Sequence, residues 1–137
     1  MSNTLPPDTR LLLIDDHQIY LDGLSLTLGS LCEGVQLDHA HNAAEALQQV
    51  SEHPYDLILL DLQLPDSSGL ALLQKLRAAD AMAPIAILTA SNSPSDLDAA
   101  LQLGAAGFIS KTADGKTLLQ AVTQLLYGAQ VVISDEN

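Results

Sequence analysis

The chain has 137 residues, 47% of them hydrophobic and 16% charged, with 17 Asp plus Glu against 5 Lys plus Arg and a formal net charge of −12. That is one domain's length with enough apolar content for a core, which excludes a disordered chain, since disorder pairs high charge with low hydrophobicity. The acidity opposes direct contact of this segment with nucleic acid or an anionic membrane, and favours cations or basic partners.

Cys32 is alone and cannot form an internal disulfide. Met1 to Arg10 has no secretory character, and no apolar run approaches the ~20 residues of a bilayer span. A cytoplasmic domain is the expectation.

Residues 1–9 are polar and proline-bearing and read as a flexible N-terminus. Leu11 to Ile14 is a short unbroken apolar run, as suits a strand buried on both faces, and Asp15 and Asp16 follow it. Helical spacing then carries Ile19, Leu24, Leu28 and Leu31, ending near Cys32, read as a packing residue. A second strand, Val35 to Ala40, leads to a helix through Ala43, Ala46, Leu47 and Val50. Leu57 to Leu60 runs into Asp61, and Asp66-Ser67-Ser68-Gly69 turns into a helix through Leu70, Leu73 and Leu76. Ile85 to Leu88 ends at Thr89, and Ser93-Pro94 caps a helix with Leu97, Ala100, Leu101 and Leu103. Gly107 to Ile109 ends at Ser110 and Lys111, and the last helix carries Leu118, Leu119, Val122, Leu125 and Leu126 before Tyr127-Gly128 closes it. The alternation predicts an α/β fold over residues 10–128: a doubly wound parallel sheet of five strands with five helices. Residues 129–137, with a short Val131-Val132-Ile133 run, read as a tail or the start of a linker.

The polar residues interrupt the apolar runs at their downstream ends: Asp15 and Asp16, Asp61, Thr89, then Ser110 and Lys111. In an open α/β sheet ligands bind outside the carboxyl ends of the strands, so one parallel sheet gathers these residues. Taken singly, an Asp at a strand end is a cap or a turn residue; taken together they describe a site. Three clustered carboxylates repel one another and call for a positive charge. Oxygen donors in a shallow, hydrated site suit Mg²⁺ better than a calcium cage. With the ammonium of Lys111, the hydroxyl of Thr89 and a carboxylate nucleophile, these are the parts for accepting and holding a phosphoryl group.

Asp15-Asp16, the stretch Asp61-Leu62-Gln63-Leu64-Pro65 with Gly69 following, Leu88-Thr89-Ala90 and the block Gly104 to Lys111 together resemble the response-regulator receiver domain of two-component signalling. The resemblance implies a flavodoxin-like strand order, 2-1-3-4-5, and an Asp61 that accepts a phosphoryl group from a histidine kinase. It implies that Asp16, Asp61 and the backbone carbonyl of Gln63 hold Mg²⁺, with Asp15 acting at longer range or through water. Lys111 and Thr89 would bind the phosphoryl oxygens, and Phe108 would be the aromatic switch that rotates inward behind Thr89. The implied output is a change in the surface of the fourth helix, fifth strand and fifth helix, which is also the implied surface for a homodimer.

Asp15-Asp16-His17 and Tyr20-Leu21-Asp22-Gly23-Leu24 are similar to the LuxR/NarL-type subfamily in particular, whose members usually carry a C-terminal helix-turn-helix DNA-binding domain. Thr112 stands where many receivers have a proline after a cis bond, and a non-proline cis bond costs about 3 kcal/mol, so the pose of that loop is open.

A receiver-like protein-binding module working without phosphorylation is the alternative, and the intact Asp16, Asp61, Thr89 and Lys111 set argues against it. A haloacid-dehalogenase-type phosphatase would place a second Asp where this chain has Gln63. The expectation is therefore a switch that takes up and loses its own phosphoryl group, not a turnover enzyme. Asp114-Gly115-Lys116-Thr117 lacks the upstream glycine of a phosphate-binding loop, and Gly104-Ala105-Ala106-Gly107 lacks the third glycine of a dinucleotide site. His17, His39, His41 and His53 read as surface or capping residues.

Overall fold

A computed structural model describes residues 8–31, 34–79, 83–90, 94–128 and 131–133. Cys32, Ser91, Ser93 and most of the expected flexible N-terminus, residues 1–7, lie outside the described residues. The elements run β1 (Arg10–Ile14), α1 (Gln18–Leu31), β2 (Gln36–Ala40), α2 (Ala43–Glu52), β3 (Leu57–Asp61), α3 (Gly69–Ala79), β4 (Ile85–Thr89), α4 (Pro94–Gln102), β5 (Gly107–Ser110), α5 (Gly115–Leu126) and β6 (Val131–Ile133). All neighbours pair in parallel, in the order β2-β1-β3-β4-β5-β6.

The five expected strands and five helices are present in the expected order. The sheet runs one strand further, because β6 pairs with β5 from Gly107↔Val131 to Ile109↔Ile133. The expectation of a tail there underweighted a β-branched run beside an otherwise open sheet edge.

Alternate residues of each central strand feed opposite layers. Leu11, Leu13, Leu57, Leu59 and Leu88 meet Leu21, Leu24 and Leu28 of α1 and Leu118, Val122 and Leu125 of α5. Leu12, Ile14, Ile58, Leu60 and Ile87 meet Ala46 of α2, Leu72, Leu73 and Leu76 of α3, and Ala100 of α4. Each fully buried leucine contributes about 1.5–3 kcal/mol, so the central strands are the most tightly held part of the sheet. One expected core residue is misplaced: Ile19 is 89% exposed, while Leu21 is fully buried. Five residues separate Ile19 from Leu24, roughly 140° around a helix, whereas Leu21, Leu24 and Leu28 share one stripe.

Caps place the loops that frame the carboxyl edge. Asn42 Oδ1 accepts from Glu45 N at 2.8 Å, and the Asp66 carboxylate, arriving from the β3–α3 loop, accepts from Ala43 N and Ala44 N at 2.8 and 3.2 Å. The backbone N–H of Ala43 holds the Asp66 carboxyl below its ordinary range. The loop after Asp61 is thus tied to the N-terminus of α2. Asp114 Oδ1 caps α5 through Thr117 N at 2.8 Å, as the turn reading of that segment expects.

The same loop closes on itself at Gly69, whose N–H donates to Leu62 O at 2.8 Å. A Cβ there would lie 2.3 Å from Leu62 Cα and 2.8 Å from Asp61 O, both backbone atoms that cannot step aside. Gly69→Ala is expected to lower stability by about 1–3 kcal/mol, read from the denaturant midpoint. Gly23→Ala, in the interior of α1 with nothing within 4 Å, is expected to raise it by about 1 kcal/mol. Equal effects of the two substitutions would contradict the close approach.

Candidate functional site

The strand order reverses between β1, whose chain continues to β2 on one side, and β3, which lies on the other, and this opens a crevice at their carboxyl ends. Ile14 is level with Leu60, Asp61 with Leu88, and Thr89 with Ser110, so the polar residue that ends each run emerges on this edge. Lys111 follows, its N–H donating to Thr89 O at 2.8 Å.

The side chains meet there. Lys111 Nζ lies 2.5 Å from Asp15 Oδ2 and 3.3 Å from Asp61 Oδ2. Asp15 Oδ1 accepts from the backbone N–H of His17 at 2.9 Å, and Asp61 Oδ1 accepts from Gln63 N at 3.2 Å. Asp15, Asp61 and Thr89 are buried, whereas Asp16 is exposed. His17, Asp61, Gln63, Thr89, Ala90 and Lys111 line a cavity of about 170 Å³.

One ammonium therefore serves two buried carboxylates. Burial alone would raise the Asp15 pKa, but Lys111 and the N–H of His17 together outweigh it and hold the carboxyl below its ordinary range. Asp61 is raised, by burial first and the neighbouring charge of Asp15 next, against the opposing pull of Gln63 N–H and Lys111. Asp61 is thus the under-neutralised member of the pair.

Ligand atoms of Asp15, Asp16, His17 and Asp61 all lie within 4.8 Å of one another, a group that could hold a metal ion. Asp15 Oδ2 is fully buried and has the Lys111 ion pair but no aligned hydrogen bond. Clustered carboxylate oxygens with too little counter-charge fit a hard divalent cation.

Two residues escaped the sequence reading. His17 Nδ1 stands 2.9 Å from Asp15 Oδ1, 3.3 Å from Asp16 Oδ1 and 3.9 Å from Asp61 Oδ2, so it belongs to the carboxylate cluster despite its exposed ring. Tyr20 places its ring centroid 4.7 Å from Lys111 Nζ. Adjacency to Asp16 and a position one helical turn further on were the available signals. The other histidines lie elsewhere: His39 bonds Ser25 Oγ at 2.7 Å, His41 pairs with Glu45 at 3.0 Å, and His53 stacks edge-on against Tyr55.

Phe108 does not line the cavity. It is 2% exposed and packs with Ile87, Ala100 and Ala105 on the α3–α4 side, so its ring is already inward in this conformation. The Lys111–Thr112 bond is trans, as are all peptide bonds among the described residues. Ser110 Oγ accepts from Thr112 N at 3.1 Å and lies 2.7 Å from Thr112 Oγ1, which fixes the turn that carries Lys111.

The sequence profile described as "Response regulator receiver domain" matches residues 11–123. The chain belongs to that family. This receiver domain is 33% identical over 132 residues to the nitrate/nitrite response regulator protein NarL of Escherichia coli K12, covering 96% of this chain and 60% of that protein. It therefore spans less than two thirds of that relative's length. Among solved structures, it is similar to a LuxR-family two-component response regulator from Aurantimonas sp. SI85-9A1, with TM-score 0.86 and 29% identity over 93% of this chain and 91% of that one. A response regulator from Burkholderia pseudomallei, solved with a phosphorylated aspartic acid, a calcium ion and citrate, matches with TM-score 0.78 and 29% identity over 88% of this chain and 69% of that one. Among the described residues no helix is long and apolar enough to cross a membrane.

The raised Asp61 pKa has a signed consequence. The folded state binds this proton more tightly than the unfolded chain, so stability falls as pH rises above the ordinary value of 3.8 and stays lower beyond the raised value. In chelator at pH 7, Asp61→Asn is expected to melt at a higher temperature than the parent, the difference closing below about pH 4. Added divalent cation is expected to raise the parent's melting temperature more than the variant's. A less stable variant at pH 7 would overturn this charge balance.

Proposed function

We propose that this receiver domain is a phosphoacceptor switch that takes a phosphoryl group from the phosphohistidine of a sensor histidine kinase onto Asp61. The observation that carries the reading is Asp61 itself: a buried carboxylate with a raised pKa, 3.3 Å from an ammonium, facing a cavity it shares with Thr89.

In the transfer, an Asp61 carboxylate oxygen attacks phosphorus and forms the new P–O bond. The P–N bond to the donor imidazole breaks, and the leaving nitrogen keeps the electron pair. Lys111 places positive charge beside the phosphoryl oxygens, and Thr89 offers them a hydroxyl donor, which is electrostatic stabilisation by pre-placed groups. Asp15, Asp16 and Asp61, with the carbonyl of Gln63, would hold Mg²⁺, which when bound adds positive charge next to the transferring group. Attack by water on phosphorus of the acyl phosphate breaks the P–O bond to Asp61, releasing inorganic phosphate and returning the free carboxylate, so the domain accepts and loses one group without a turnover substrate.

The switch is a population shift. Recruitment of Thr89 toward the phosphoryl group stabilises the buried position of Phe108 and remodels α4, β5 and α5, a surface suited to a homodimer. We read that output as control of transcription through an attached DNA-binding domain in the cytoplasm, a reading supported by relatives named a transcriptional regulatory protein and a transcriptional activator protein. Twelve net negative charges make this segment itself a poor DNA ligand.

Incubation with phosphoramidate and Mg²⁺ is expected to label the parent, with labelling abolished in Asp61→Asn and in chelator. Lys111→Ala is expected to slow it by about 10²–10³-fold, the scale of removing one pre-placed donor. Equal labelling of the parent and Asp61→Asn refutes the phosphoacceptor assignment. Thr89→Ala is expected to be labelled yet to show no change in the Phe108 ring resonances on phosphorylation.

A further inference from the structure

Lys111 borders two cavities. One is the carboxylate cavity; the other is a larger, apolar groove of about 390 Å³ between α1 and α5, whose walls include Ile19, Tyr20, Gly23, Leu24 and Leu118. A lysine side chain is a flexible four-carbon stem ending in a strongly hydrated point charge, so nothing in its own chemistry holds the ammonium on the carboxylate side. Asp15 and Asp61 attract it from one direction. From the groove side it meets the face of Tyr20, at 4.7 Å from the ring centroid.

We infer that Tyr20 is the positioning residue for Lys111: its aromatic face backs the ammonium and keeps it aimed between Asp15 and Asp61, where an incoming phosphoryl group requires it. The inference rests on the phosphoacceptor reading for its kinetic consequence, and on the geometry alone for the contact.

The ring is well placed for that work. Tyr20 sits in the first turn of α1, and Leu21, Leu24 and Leu28 of that helix are locked into the sheet's core. Tyr20 is itself packed against the same cluster, half-buried, with only two side-chain torsions to fix. Its hydroxyl stays protonated, since burial and the charges of Asp15 and Asp61 push its pKa up to about 12. The ammonium therefore meets a neutral ring quadrupole, an attraction that leaves all three N–H donors free to turn toward the carboxylates.

The functional part is the ring and not the hydroxyl, which sets the test. Tyr20→Phe keeps the face and is expected to take label from phosphoramidate with Mg²⁺ within about 2-fold of the parent rate. Tyr20→Leu keeps apolar bulk without the face and is expected to be slower by about 2- to 30-fold, the range equivalent to a lost cation–π contact. In a Lys111→Ala background the same Leu substitution is expected to change the rate by less than 2-fold, because its effect runs through Lys111. A Leu penalty that persists in that background, or a Phe variant as slow as the Leu one, overturns the inference.

A second readout needs no phosphorylation. The ε-methylene protons of Lys111 in the parent are expected upfield of those of Lys75 and Lys116 through the ring current, and to lose that shift in Tyr20→Leu. Unshifted Lys111 protons in the parent refute the contact. Should the parent take no label while the shift is present, the phosphoacceptor reading fails and the positioning contact stands.

Discussion

One ammonium group faces two buried carboxylates where β1 and β3 part, and the site is organised around that imbalance. Lys111 lies closer to Asp15, which also collects the backbone N–H of His17, so Asp15 is neutralised and Asp61 is left with too little counter-charge. Burial amplifies the deficit, because water cannot screen it. A carboxylate in that state is relieved by a cation, and in the function proposed above it is the group that meets the incoming phosphoryl.

Holding like charges together requires a stiff frame. The two leucine-rich layers supply it, since the strands that carry Asp15, Asp61 and Thr89 are buried on both faces. The loop beyond Asp61 is fastened at both ends, by Asp66 on the N-terminus of α2 and by the close approach of Gly69 to Leu62. Phe108 stands opposite Ile87 on β4, two residues before Thr89, so a displacement of Thr89 is felt in the packing beside that ring. Thr89 and Phe108 are thus neighbours on one strand pair.

Much of this was legible in the residues. Unbroken apolar runs of strand length, each ended by a polar residue, are local signals, and they placed Asp15, Asp16, Asp61, Thr89 and Lys111 on one sheet edge. Amphipathic spacing was weaker evidence for which helical face turns inward: Ile19 is apolar yet exposed, because rotation of α1 is set by packing against the sheet and α5. His17 and Tyr20 belonged to the stretches that mark the subfamily resemblance, but nothing in the residues tied either to the site, since an imidazole beside a carboxylate and an aromatic one turn into a helix are common features. β6 was visible only as three β-branched residues, and pairing with β5 is a long-range event.

By itself the sequence determined the fold class, the parallel sheet, and the family to which this domain belongs, because strand burial and the order of polar interruptions are properties of consecutive residues. Only the tertiary structure decided how charge is shared among Asp15, Asp61 and Lys111, that His17 joins them, and that Tyr20 backs the ammonium. Those relations depend on side-chain direction across elements more than ninety residues apart, and on distances of a few ångströms over which electrostatic energy changes most steeply.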